Sequence, residues 1–167
     1  MNSIEPNCES AHMKSIIENK LGLLKIVLPA PGSPGGNYVP AVIIEKLAYM
    51  SGQVTRVDGK LSFVGKLGRE LSIEEGQQAA RVCALNLLSQ LKVVCGGDLD
   101  RVERCVRLTG YVNCIPDFAE QPKVINGASD LMVAVFGDAG RHARTAIGVS
   151  SLPGGVACEV DAIFQLK

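Results

Sequence analysis

Between Ala11 and Leu24 the apolar residues Met13, Ile16, Ile17, Leu21 and Leu24 recur at helical spacing, predicting a leading helix that closes at Gly22 or just after it. The stretch Pro29-Ala30-Pro31-Gly32-Ser33-Pro34-Gly35-Gly36 is too rich in Pro and Gly for a helix or a central strand and reads as a connector. Two apolar bursts, Val39 to Ile44 and Leu47 to Met50, flank the polar pair Glu45-Lys46 and predict a β-hairpin. Asp58-Gly59, between Val57 and Leu61, predicts a second, shorter one, because both residues tolerate positive φ. Ser72-Ile73-Glu74-Glu75 is a capping box, and Ala80, Cys83, Ala84, Leu87, Leu88 and Leu91 form one helical stripe that Gly96-Gly97 ends. Val106, Leu108, Gly110 and Val112 alternate with Arg107, Thr109 and Tyr111, the period of a half-buried strand. A second long helix follows, with Pro122 in its first turn and Val124, Ala128, Leu131, Met132 and Val135 on one face up to Gly137. Two closing strands, 143–150 and 156–166, meet at Leu152-Pro153-Gly154-Gly155; in the last, every even position is apolar while Glu159 and Asp161 share the other face.

Strands, helix, strand, helix, strands, with apolar residues on one side of each, describe an α+β domain: one sheet with both helices on a single face. The other sheet face then needs cover, and association of copies supplies it most simply. At 167 residues the chain suits one domain, taken here as residues 37–167 after an appendage of residues 1–36.

Seventeen basic against seventeen acidic side chains give a net charge of +0, so no global field draws in a polyanion and nucleic acid is not expected as a partner. Six cysteines without a C-x-x-C pair, mostly within apolar runs, read as buried thiols of a reducing compartment. The first residues lack a basic region leading into an apolar run, and no apolar stretch reaches bilayer length, so the expectation is a cytoplasmic protein without a membrane partner.

Little in the chain carries familiar site chemistry. His12 and His142 have no ligand partner at a recognised interval, so no metal is expected. Ser51 does not sit in a G-x-S-x-G elbow, and the Gly-rich stretch at 32–36 lacks the Lys-Ser/Thr of a phosphate loop. What remains is Arg141-His142-Ala143-Arg144, with the acidic Glu159 and Asp161 expected on the adjacent strand. An arginine fork facing a cleft suits a small carboxylic acid, although on spacing alone surface or inter-subunit ion pairs are the stronger account of these charges.

The run Gly36-Asn37-Tyr38-Val39-Pro40-Ala41, then Leu47-Ala48-Tyr49-Met50-Ser51-Gly52-Gln53, Asp98-Leu99-Asp100-Arg101-Val102, and finally 143–149, Leu152-Pro153 and Cys158-Glu159-Val160-Asp161-Ala162, resembles the reactive intermediate deaminase family. That family is also called RidA or YjgF and was formerly described as endoribonuclease L-PSP. The resemblance implies a chorismate-mutase-like fold, a homotrimer whose sheets line a central barrel, clefts between subunits, and cofactor-free hydrolysis of 2-imino acids to 2-keto acids and ammonia. By position it implies that Arg144 binds the substrate carboxylate, that Glu159 positions or activates water, and that Tyr38, Ser51, Asn126 and Ala146 border the substrate. Many deaminating members have Pro and Cys where this chain has His142 and Ala146, and Pro where it has Asn37.

A trimer that binds a small carboxylate without turnover is the competing expectation. Both need Arg144; only hydrolysis needs an acid beside water, so Glu159 separates them. A ribonuclease or translation-inhibitor role fits poorly with zero net charge, no Trp and no basic-aromatic track.

Overall fold

The capping box forms as its residues dictate: in the computed structural model, which describes residues 15–167, the Ser72 amide donates to Glu75 (2.8 Å) and the Glu75 amide to Ser72 Oγ (3.2 Å). The helix it opens, α2 (Ile73–Val94), buries the predicted stripe and stops where Gly96 and Gly97 take positive φ. Helix α3 (Gln121–Phe136) has Pro122 in its first turn and buries Val124, Ile125, Ala128, Leu131, Met132 and Val135. The two helices touch at Gly127, where an added Cβ would lie 1.9 Å from the Gln77 carbonyl oxygen. The leading helix, α1 (Ile16–Leu23), sinks Leu21 into the core, and the carboxylate of Asp100 accepts from the amides of Ile16 (2.7 Å) and Ile17 (2.8 Å) at its start. The earlier part of the predicted helix, with His12 and Met13, lies outside the described residues.

Five strands, β1 (Ala41–Ile44), β2 (Leu47–Val54), β5 (Val102–Asn113), β6 (Ala143–Val149) and β7 (Cys158–Leu166), form a mixed sheet in the order β1-β2-β7-β5-β6. Both predicted hairpins are present; the second joins β3 (Arg56–Val57) to β4 (Lys60–Leu61), with φ of 48° at Asp58 and 78° at Gly59. Strand β6 runs parallel to β5, which α3 permits by carrying the chain back along the sheet. This corrects one expectation: the strand bearing Glu159 and Asp161 is not adjacent to that of Arg144, because β5 stands between them. A second correction concerns β5 itself. Register shifts between Val102 and Arg104 and between Cys105 and Arg107 break the alternation, so Cys105 is buried and Val106 is only partly so.

The even positions of β7, opposed by Ala48, Met50, Leu108 and Val112, meet α2 and α3 in one core. The opposite face carries Val42 (51% exposed), Ile44 (59%), Tyr49 (42%) and Ile147 (43%), more apolar surface than a lone sheet would leave open to water. The cysteines at 83, 95, 105, 114 and 158 are buried free thiols; Cys8 lies outside the described residues. Among the described residues no helix is long and apolar enough to cross a membrane, and no cluster of side chains could hold a metal ion.

Candidate active site

Arg144 stands opposite Leu108 in the β5–β6 register, which points its side chain to the helix face at the sheet's edge. There one of its terminal nitrogens, Nη1, donates to Asn126 Oδ1 (2.8 Å) and to Ser129 Oγ (3.1 Å), both on α3. Asn126 and Ser129 are three residues apart and so lie on one side of that helix. These two bonds use both hydrogens of Nη1 and leave the Nε–Nη2 edge, the side on which a guanidinium grips a carboxylate with two parallel bonds. No acidic side chain of the described residues pairs with Arg144. Ala146, two residues on, is half-buried on the same face.

Glu159 belongs to a different surface. It is opposite Tyr111 in β5 and Val54 in β2, on the face away from the helices. Its carboxyl lies over Gly52, where an added Cβ would come 2.2 Å from Oε1, so glycine lets the carboxyl sit here and a larger residue would push it aside. The register of β2 shifts between Met50 and Gln53, so a bulge at Ser51-Gly52 makes this approach possible, and Ser51 is a strand residue rather than a turn residue. Ser51 ties the bulge to the preceding segment: its amide donates to Pro40 O (2.8 Å) and its hydroxyl to Val39 O (2.7 Å). Tyr38, one residue earlier, accepts from the Gly35 amide through its hydroxyl (3.2 Å). Tyr38, Gly52 and Glu159 line a cavity of about 540 Å³. Burial, with a smaller push from Asp161, raises the pKa of Glu159 above the ordinary carboxylate value.

The six residues singled out from the sequence thus fall into two groups. Arg144, Asn126 and Ala146 share the β6–α3 edge, whereas Tyr38 and Glu159 line the cavity beside β2 and β7, and Ser51 stands next to it in the bulge with its hydroxyl turned to Val39 O rather than into the cavity. Two strand spacings, about 10 Å, separate β6 from β7, and the guanidinium and the carboxyl point to opposite faces. One copy of the chain cannot apply both to one small ligand.

Several cavity residues escaped the sequence reading. The Pro/Gly-rich connector is a wall of the cavity from Pro29 to Gly35, held by α2 through Ser89 Oγ to Pro29 O (2.6 Å) and Gln90 Nε2 to Gly32 O (2.6 Å). Its composition signals only irregularity, and the buried polar pair on α2 was the available clue. Ser129 joins the Arg144 group through bonds to other segments that leave no mark in the spacing along α3.

A family model described as "YjgF/chorismate mutase-like, putative endoribonuclease" matches residues 18–166, and the chain belongs to that family. Protein TCP17 of Trypanosoma cruzi is 49% identical over 145 residues, covering 86% of this chain and 90% of that protein. The solved structure of Atu1372 from Agrobacterium tumefaciens is 42% identical with a TM-score of 0.85, over 90% of this chain and 92% of its own. Escherichia coli TdcF, solved with bound serine, shares the fold at 19% identity and a TM-score of 0.58, over 84% of this chain and 96% of its own.

Proposed function

We propose that the protein hydrolyses 2-imino acids, or their enamine tautomers, to 2-keto acids and ammonia, and does so as a homotrimer. Each site takes Arg144 and Asn126 from one copy and Tyr38, Ser51 and Glu159 from the next. The Nε–Nη2 edge of Arg144 holds the substrate carboxylate and fixes the imine carbon. Glu159 accepts a proton from water as its oxygen bonds to that carbon, and the nitrogen takes up a proton to give a carbinolamine. The hydroxyl proton then passes through the same carboxyl to the nitrogen as the C–N bond breaks, which releases ammonia and leaves the ketone, the water oxygen having become the carbonyl oxygen. No cofactor enters, because an imine is already electrophilic.

The observation that carries this reading is Glu159, a half-buried carboxyl of raised pKa beside an open cavity. A module that only held a carboxylate would have no use for it. Cleavage of RNA gains no support from a net charge of +0.

The test is to generate 2-iminopropanoate and 2-iminobutanoate in situ with a dehydratase and follow keto-acid release. The protein accelerates release; Arg144→Lys, which keeps the charge but loses the fork, and Arg144→Ala both lower the rate by about thirty to a thousandfold, the equivalent of about 2 to 4 kcal/mol. No acceleration with either imine overturns the proposal.

A further inference from the structure

His142, which departs from the family pattern and has no metal partner in the sequence, is the end of a hydrogen-bonded chain that reaches Arg144. Its Nδ1 lies 2.6 Å from the Gly140 carbonyl oxygen and its Nε2 lies 3.1 Å from Ser129 Oγ. A carbonyl oxygen only accepts, so Nδ1 carries the proton and Nε2 of the neutral ring is an acceptor. The Ser129 hydroxyl must therefore donate to His142, which turns its lone pairs toward Arg144 Nη1 at 3.1 Å. The directions agree along the whole run: Arg144 donates to Ser129, Ser129 to His142, and His142 to the backbone at Gly140.

We propose that His142, acting through Ser129, is a positioning residue for Arg144, locking the guanidinium so that its Nε–Nη2 edge faces the ligand carboxylate. The inference rests on the function proposed above and adds to it how this chain orients its arginine. Asn126 alone would hold Nη1 by one bond and leave the guanidinium free to swing about it; the second bond fixes its plane. The chain works only with a neutral ring. Imidazolium has no acceptor for the Ser129 hydroxyl and sets a second cation near Arg144. The other charged groups nearby are Arg141, paired with Asp138 at 3.2 Å, and Arg104 of β5, which donates to the Arg141 carbonyl; α3 brings the uncharged Ser129. Burial holds the imidazole below its usual pKa, against the opposing pull of the Gly140 hydrogen bond and with a smaller push from the charge of Arg144, so the ring is neutral at physiological pH.

The experiment measures kcat and KM for imine hydrolysis in wild type, His142→Ala, His142→Gln, Ser129→Ala and the double alanine variant, from about pH 5 to about pH 8. Each single alanine variant raises KM on the order of tenfold with a smaller change in kcat, and the double variant is no worse than either single one, because both break the same chain. Gln restores most of the loss, since its amide oxygen can accept from Ser129. The wild-type KM rises at the acid end, and this rise is missing from the Gln variant. Thermal melting of the Gln variant close to wild type keeps the comparison free of folding effects. Wild-type KM in all variants, or an acid limb unchanged in His142→Gln, overturns the inference while leaving the deaminase reading in place. If wild type turns over neither imine, that reading falls first, and pyruvate binding by calorimetry then decides: the same pattern in Kd upholds the positioning role, and unchanged Kd values or no binding overturn it.

Discussion

The carboxyl of Glu159 is half-buried on β7, over Gly52 of β2. Burial first, and Asp161 second, push its carboxyl above the ordinary value, so the folded chain holds a proton that the unfolded chain would release. Stability from this group therefore falls as pH rises from the ordinary carboxylate pKa to the raised one, and the deficit is fully present above both. Glu159→Gln accordingly melts at a higher temperature than wild type at neutral pH, with the difference shrinking toward about pH 4, while imine hydrolysis is lost. Thermal melts at the two pH values check this; a variant that melts lower at neutral pH contradicts it. Tyr38, Ser51, Arg144 and Glu159 stand in the short motifs that carry the family resemblance, and Asn126 stands apart from them on α3, where only its position suggested a role; the structure adds that it bonds Arg144. Ser129 and the role of His142 could not be picked from the sequence, because a hydrogen bond between α3 and the loop before β6 leaves no trace in spacing along either segment.

At the scale of elements, amphipathic period and end signals were enough for α2, α3 and the two hairpins: the capping box, Pro122, Gly96-Gly97 and Asp58-Gly59 each act within a few residues of themselves. What the pattern missed depends on partners distant in sequence. The shifts in β5 that bury Cys105 are set by its register with β7, and the parallel pairing that places β6 beside β5 is decided by the crossover through α3. Gly127 belongs to the same class. It reads as a weak point in a helix, yet it is where the backbones of α2 and α3 come too close for any side chain. Since the obstacle is a backbone carbonyl rather than a mobile side-chain end, Gly127→Ala must push α3 away from α2. We expect a loss of about 2 to 3 kcal/mol despite the better helix propensity of alanine, measured by urea unfolding. A variant of equal or greater stability would show that the helices separate freely.

For the whole molecule, the sheet decides what a single copy can do. Its helix face presents Arg144 at the β6 edge, its other face presents Glu159 beside Gly52, and the apolar residues Val42, Ile44, Tyr49 and Ile147 on that other face await cover. Association of copies would bury those residues and bring the arginine edge of one protomer to the cavity of its neighbour in a single step. The central claim is that the active site is shared, and mixing two inactive variants tests it most directly. Arg144→Ala and Glu159→Gln are each prepared, then unfolded together in equal amounts and refolded. In a cyclic trimer of random composition, about one quarter of the clefts combine an intact arginine from one copy with an intact glutamate from the next, so about one quarter of wild-type imine hydrolysis returns. Activity that stays at the level of the separate variants, although mass measurement shows that mixed assemblies have formed, would mean that Arg144 and Glu159 do not meet across an interface, and the account would fail.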